Sequence, residues 1–299
     1  SVKIIKEPEI TVQPYLRGKT ITPQDLDDED FSLTIDKANY FAFKVDDIEE
    51  AHSHVNFQSL ASDRAAYRLG DQYDQDVLGY LSGFKQSALH GSPDTVNTTT
   101  NGSVAVSTAG TDELLSSMKI DAASFGGSAG DALALQPRTG GATDSTPAVG
   151  DTFPLTVIAR MSRLLDQQNV DTQGRWLVVD PVFMELLKDE DSRLFNADFG
   201  GSGLQNGLIG MNIHGFRVYT SNNLPTVGTG PSFTGTNSAV NYGMIVAGHD
   251  SAVATAEQIN KTETYRDPDS FSDIVRGMHL YGRKILRPEA LVNAKYHLA

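Results

Sequence analysis

The amino-acid sequence predicts an α+β chain, with strands gathered at its two ends around a long helix and a mixed middle. Three observations predict this class. Apolar residues recur at three-or-four spacing between Asp47 and His90, which keeps one stripe on one side of a helix. Apolar and polar residues alternate before residue 46 and again after residue 260, the period of half-buried strands. From Pro154 onward, helical and strand patterns take turns.

The helix carries Ile48, Ala51, Val55, Ala66, Leu69, Tyr73, Val77, Tyr80, Phe84 and Ala88 on its stripe, with a polar gap at Gln58 and Ser62. Asp46, Asp47, Glu49 and Glu50 place negative charge at its start, where the helix dipole favours anions. Gly91 and Pro93 mark its stop. A helix of this extent spans about 60 Å at 1.5 Å per residue, more than a compact globule covers. Neighbouring copies of the chain are therefore expected to finish its surface.

Residues 1–46 read as a long hairpin. Ile10 and Val12 alternate on the way out. Phe31, Leu33 and Ile35, then Phe41, Phe43 and Val45, alternate on the way back. Between the arms lies a polar tip with Pro14, Gly18, Pro23 and an acidic run, Asp25 to Asp30. An isolated ribbon is marginal in water, so it lies either on a neighbour or on its own domain. Residues 91–152 are rich in Ser, Thr, Gly, Asn and Ala. They read as a loop-rich insertion or a pair of irregular strands, with one short helix over 111–120.

Next come a helix from Pro154 to about Gln168 and a buried strand, Arg175 to Val179. Asp180-Pro181 then starts another helix, with Asp as cap and Pro at the first position. Ile213 to Thr220 and Met244 to Ala247 read as strands. Thr262 to Arg266 and the run from Met278 through Ile285-Leu286 close the chain, with a bulge at Gly282 and Pro288 at an end or edge.

Composition narrows the function classes. The 299 residues suffice for one large or two ordinary domains. The net charge of −14 argues against a surface that grips nucleic-acid phosphates. It suits a wall that must not stick to packed nucleic acid, and equally any acidic soluble protein. The absence of cysteine excludes disulfides, thiolate catalysis and cysteine-ligated metals. No apolar run reaches the length of about 18 residues that a membrane span needs, so no membrane partner is expected. The first residues are not a signal peptide. The lack of an initiator Met marks a chain processed, trimmed or incomplete at its front.

No catalytic constellation emerges. Gly200, Gly201, Gly203 and Gly207 miss the dinucleotide spacing because position 206 is Asn. His52 and His54 sit two apart and face different ways on a helix, and the other five histidines have no partner at ligand spacing. Asp71, Asp74 and Asp76 lack the pattern of a calcium loop and read as a solvated face. No catalytic, cofactor-binding or metal-ligating residue is expected, and the chain is not expected to be an enzyme.

Several phrases resemble the Hong-Kong-97-type major capsid protein of tailed double-stranded DNA bacteriophages. Leu155 to Ala159, Arg175 to Pro181 and Leu186 to Phe195 are similar to that family's helix–strand–(N/D)P–helix–LLKD passage. Gly215 to Val218 with Asn223 to Pro225 resembles its next strand and turn. Thr262 to Arg266, Arg276 to Gly282 and Arg287-Pro288 resemble its closing strands. The flavour is nearest to short-tailed (podovirus) phages.

The resemblance implies a fold with named parts. Residues 1–46 would be an extended β-hairpin E-loop, with the N-terminal arm missing or truncated. Residues 47–152 would be a P-domain with a spine helix at 47–90 and an insertion at 91–152. Residues 153–254 would be the A-domain, and 255–299 would return to the P-domain. It implies a shell protein of the virion, assembled in the host cytoplasm into pentamers and hexamers of an icosahedral capsid. The shell would enclose DNA without sequence-specific binding, with portal, scaffolding and decoration proteins as partners. Tyr15, Arg17 and Lys19 at the loop tip would reach a neighbour, and Phe41 and Phe43 would anchor the loop's base. Lys19 fits a covalent cross-link by position alone. The rival readings are an encapsulin-like compartment, which shares the fold, and a soluble enzyme with dispersed residues.

Overall fold

The computed structural model describes residues 2–5, 17, 30–46, 57–82, 114–129, 131–136, 151–188, 212–227, 231 and 242–298. In chain order its elements are β1 (Val2–Ile5), β2 (Asp30–Leu33), β3 (Lys37–Asp46), α1 (Phe57–Leu81), β4 (Lys119–Ile120), β5 (Leu133–Leu135), β6 (Asp151–Thr152), α2 (Pro154–Gln167), β7 (Arg175–Val179), α3 (Pro181–Leu187), β8 (Asn212–Ile213), β9 (Phe216–Thr220), β10 (Thr226–Val227), β11 (Tyr242–His249), β12 (Val253–Arg266), β13 (Ser272–Ile285) and β14 (Leu291–Leu298).

β1 and β2 pair antiparallel, Val2 opposite Leu33 and Ile5 opposite Asp30. β2 is the returning arm that the alternation at Phe31 and Leu33 predicts, and β1 lies upstream of the expected outgoing pair. Ile10, Val12 and most of the tip lie outside the described residues. β3, however, leaves this ribbon for a three-stranded sheet of order β12-β13-β3. Residues 1–46 are therefore not one hairpin. The handover happens where Thr34 crosses β13 at Gly282. A Cβ at Gly282 would lie 2.3 Å from the Thr34 carbonyl oxygen, so only glycine admits that crossing. Gly282 is thus a close-approach glycine rather than a bulge. The register shift sits instead in β12, between Glu257 and Ile259.

α1 lies on the inner face of this sheet. Its stripe of Leu69, Tyr73, Val77 and Tyr80 turns inward, while Ala66 is exposed. The described helix has 25 residues, about 38 Å, and Ser82 follows as a turn. The expected extensions over 47–56 and 83–90 lie outside the described residues.

The large sheet runs β6-β5-β14-β11-β7-β9-β8, with β10 also on β11 and β4 also on β14. β11 is buried from Tyr242 to Gly248, which explains its unbroken apolar run. α2 buries Val157, Ile158, Met161 and Leu165, and α3 buries Phe183, Leu186 and Leu187, in one core with Leu177, Val179, Ile245 and Val292. α2 ends in a Schellman arrangement. Asn169 takes positive φ (54°), and the Val170 N–H bonds the Leu165 carbonyl at 3.1 Å. α3 starts as predicted: the Asp180 side chain accepts from the Phe183 N–H at 3.0 Å, with Pro181 at the first position.

Three further expectations are corrected here. The last block, 255–299, divides: β13 stays in the three-stranded sheet, but β14 enters the middle of the large one. Within 91–152, by contrast, the alternative of a pair of irregular strands is met: β4 and β5 run parallel to β14 and extend the large sheet. Among the described residues of 111–120, a 3-10 turn at Ser116–Met118 stands where a short helix was expected. The strand at 213–220 is a hairpin, because His214 (φ 49°) and Gly215 (φ 85°) turn the chain between β8 and β9. Two successive positive φ values fit a tight hairpin turn.

Candidate assembly surfaces

A joint between α1 and β13 fixes the helix against the three-stranded sheet. Asp76 on α1 is fully buried. Its carboxylate accepts from Arg283 Nε at 2.9 Å, from Arg283 Nη2 at 2.8 Å and from the Tyr281 hydroxyl at 3.0 Å. Two parallel N–H bonds to one carboxylate fix angle as well as distance. The Arg283 guanidinium also lies over the Tyr80 ring, 4.5 Å from its centroid. Burial, then the Asp76 charge, pushes the Tyr281 hydroxyl well above the usual tyrosine range. The Tyr73 ring meets Tyr281 edge-on at 4.8 Å, and His279 stacks on Tyr281 at 5.1 Å. Asp76 is thus the clamp of the joint and not part of a solvated acidic face.

The end of α1 is fixed to the other sheet. Val77, Leu78, Tyr80 and Leu81 pack into the main core, and Asn293 Nδ2 on β14 donates to the Ser82 carbonyl at 3.0 Å. One helix therefore joins the two sheets.

With its inner face on α1, the three-stranded sheet turns its other face outward. Tyr40 on β3 is 80% exposed, and its cross-strand partner Met278 is 42% exposed. Arg276 bonds Glu263 at 2.9 Å and lies over the Tyr265 ring at 4.9 Å. The turn between β12 and β13 is braced. Asp267 accepts from Lys44 Nζ at 2.7 Å, from the Ser270 hydroxyl at 2.7 Å and from the Asp269 N–H at 3.1 Å. These partners, Lys44 first, hold the Asp267 carboxyl far below the usual carboxylate range. Phe271 projects from that turn, 81% exposed.

The residues expected to meet a neighbour fall in different places. Arg17 is exposed in a turn, while Tyr15 and Lys19 lie outside the described residues. Phe41 and Phe43 are half-buried on β3 and stack with ring centroids 6.1 Å apart. Phe41 also covers Gly277 across the strands, where a Cβ would lie 2.4 Å from its ring. Both rings therefore belong to the three-stranded sheet and not to the base of the β1–β2 ribbon. Sequence reasoning missed Phe271 and the Asp76–Arg283 pair. The Asp-Pro-Asp-Ser turn signal before Phe271 could have exposed the first. A partner 207 residues away leaves no local signal for the second.

No metal-holding cluster of His, Asp and Glu occurs among the described residues, and no described helix is long and apolar enough to cross a membrane.

Comparison with known proteins supplies the family. The family model described as phage capsid protein matches residues 28–294. A solved structure from Mycobacterium phage Che8 is 24% identical, with a TM-score of 0.60 over 98% of this chain and 82% of that one. The capsid structure of cyanophage P-SCSP1u is 17% identical, with a TM-score of 0.64 over 99% and 83%. The capsid of Ralstonia phage GP4 is 13% identical, with a TM-score of 0.62 over 100% and 83%. No curated protein matches. The likeness shows a shared fold, the Hong-Kong-97-type capsid fold that the sequence motifs resemble. The chain belongs to the phage capsid protein family, and its role is structural, as a major capsid protein that assembles into the shell of a virion.

Proposed function

We propose that the chain builds a closed icosahedral shell of pentamers and hexamers around a double-stranded DNA genome. It assembles in the host cytoplasm with scaffolding and portal proteins, and a decoration protein is a further partner. The short-tailed flavour of its motifs belongs to this reading. The observation that carries it is the serial layout of ribbon, three-stranded sheet and large sheet on one joining helix. This layout leaves apolar side chains such as Tyr40, Tyr67 and Phe271 exposed, which copies of the chain can cover.

In this reading, the E-loop is the ribbon with the tip between its arms. The P-domain is α1 with the three-stranded sheet, and the A-domain is the large sheet with α2 and α3. This assignment keeps the sequence-based order of parts and moves β14 and residues 114–136 to the A-domain side. Tyr15, Arg17 and Lys19 reach acidic groups on a neighbour. Phe41 and Phe43 brace the sheet from which the ribbon departs. The net charge of −14 keeps the wall from gripping its contents.

Deletion of residues 14–30 tests the E-loop. The variant is expected to give a soluble, folded subunit that no longer forms closed particles in negative-stain images. Particles of normal size would overturn the assignment. Nuclease-protected double-stranded DNA in particles supports the genome-enclosing reading, whereas a bound cargo enzyme would point to an encapsulin-like compartment.

A further inference from the structure

Two outward features of the same chain match each other. The first is the β12–β13 turn. Phe271 stands out of it, and the exposed Asp269 flanks the ring. The Lys44–Asp267 ion pair and the Ser270 hydroxyl brace the turn, so the ring is offered with little ordering left to do on binding. The second is the outward face of the first half of α1. Leu60, Arg64 and Tyr67 recur at helical spacing on one face, opposite the stripe that meets the sheet. Leu60 is 51% exposed and Tyr67 is 68% exposed. Arg64 between them is exposed and has no partner among the described residues.

We propose that the Phe271 turn docks on the Leu60–Arg64–Tyr67 face of a second copy, Phe271 against Leu60 and Tyr67 and Asp269 against Arg64. The inference rests on the shell-forming reading, which supplies the second copy. Three facts favour this occupant: an aromatic meets an apolar face, an exposed acid meets an exposed base, and both sit on a chain that assembles with itself. Each subunit uses a different patch for giving and for receiving. The contact is therefore heterologous and generates rings when the rotation closes.

The cysteine-free sequence makes the test clean. Purified full chain with Asp269→Cys and Arg64→Cys together is assembled and oxidised. A ladder of disulfide-linked multiples on a non-reducing gel is expected, and neither single variant gives it. Phe271→Ser is expected to lower particle yield roughly tenfold or more, with an unchanged melting temperature for the unassembled chain. Normal yield from Phe271→Ser, or no ladder from a double variant that still forms particles, overturns the docking while leaving the shell reading intact. Such an outcome assigns the α1 face to another occupant, such as the loop tip of a neighbour. Failure of the unaltered chain to form particles overturns the shell reading and this inference with it.

Discussion

Asp76 and Arg283 show how much one pair of residues can hold. Both side chains are nearly or fully buried, so neither charge has water to fall back on. Asp76→Ala strands the guanidinium and the Tyr281 hydroxyl. The expected loss is about 3–5 kcal/mol, read by denaturant unfolding of the unassembled chain. Adding Arg283→Met is expected to recover part of that loss, because the orphaned charge is gone. Asp180 is a second buried acid. It caps α3, accepts a hydrogen bond from the Tyr296 hydroxyl, and touches the sheet near Gly243. Burial raises its carboxyl above the ordinary value of 3.8. The folded state then holds the proton longer than the unfolded one, so stability falls as pH rises from about 3.8 through the raised value. Asp180→Asn keeps an oxygen for both bonds and removes the titration. Its stability between pH 4 and 7, followed by thermal melts, is expected to be flatter than that of the unaltered chain.

At the scale of elements, α1 packs through its C-terminal half and stands exposed at Leu60, Arg64 and Tyr67. Its inward stripe was legible because a three-or-four spacing survives any tertiary context. The same holds for α2, β7, β11 and the Asp180-Pro181 start of α3, whose signals lie within a few residues. The hairpin of β8 and β9 was not legible, because His214 sits at a left-handed position more usual for Asn, Asp or Gly. β4 and β5 lie in a segment of low-complexity composition, where pairing with distant strands, β14 for both and β6 for β5, makes them strands. Gly70 lies on the exposed side of α1, and a Cβ there would meet nothing within 4 Å. Gly70→Ala is therefore expected to raise stability by about 0.5–1 kcal/mol, seen as a higher midpoint in urea.

Over the whole molecule, much of the order of helices and strands could be read from local patterns, but the partition between sheets could not. Nothing local in Lys37 to Asp46 says that this strand abandons the ribbon. The decision rests on Gly282 and Phe41–Gly277, contacts between residues more than two hundred positions apart. The candidate surfaces were half legible for the same reason. Arg17 announces itself by a polar tip, whereas Phe271 and Tyr67 become notable only when the fold leaves them uncovered.

The place of β14 has a consequence for synthesis. The strand lies between β5 and β11, yet it is made after every other strand described. Until residues 291–298 leave the ribosome, the large sheet has a gap at its centre and its two halves have no common partner. A translation product that stops short of residue 291 therefore lacks the strand that joins β5 to β11, and its large sheet stays in two pieces.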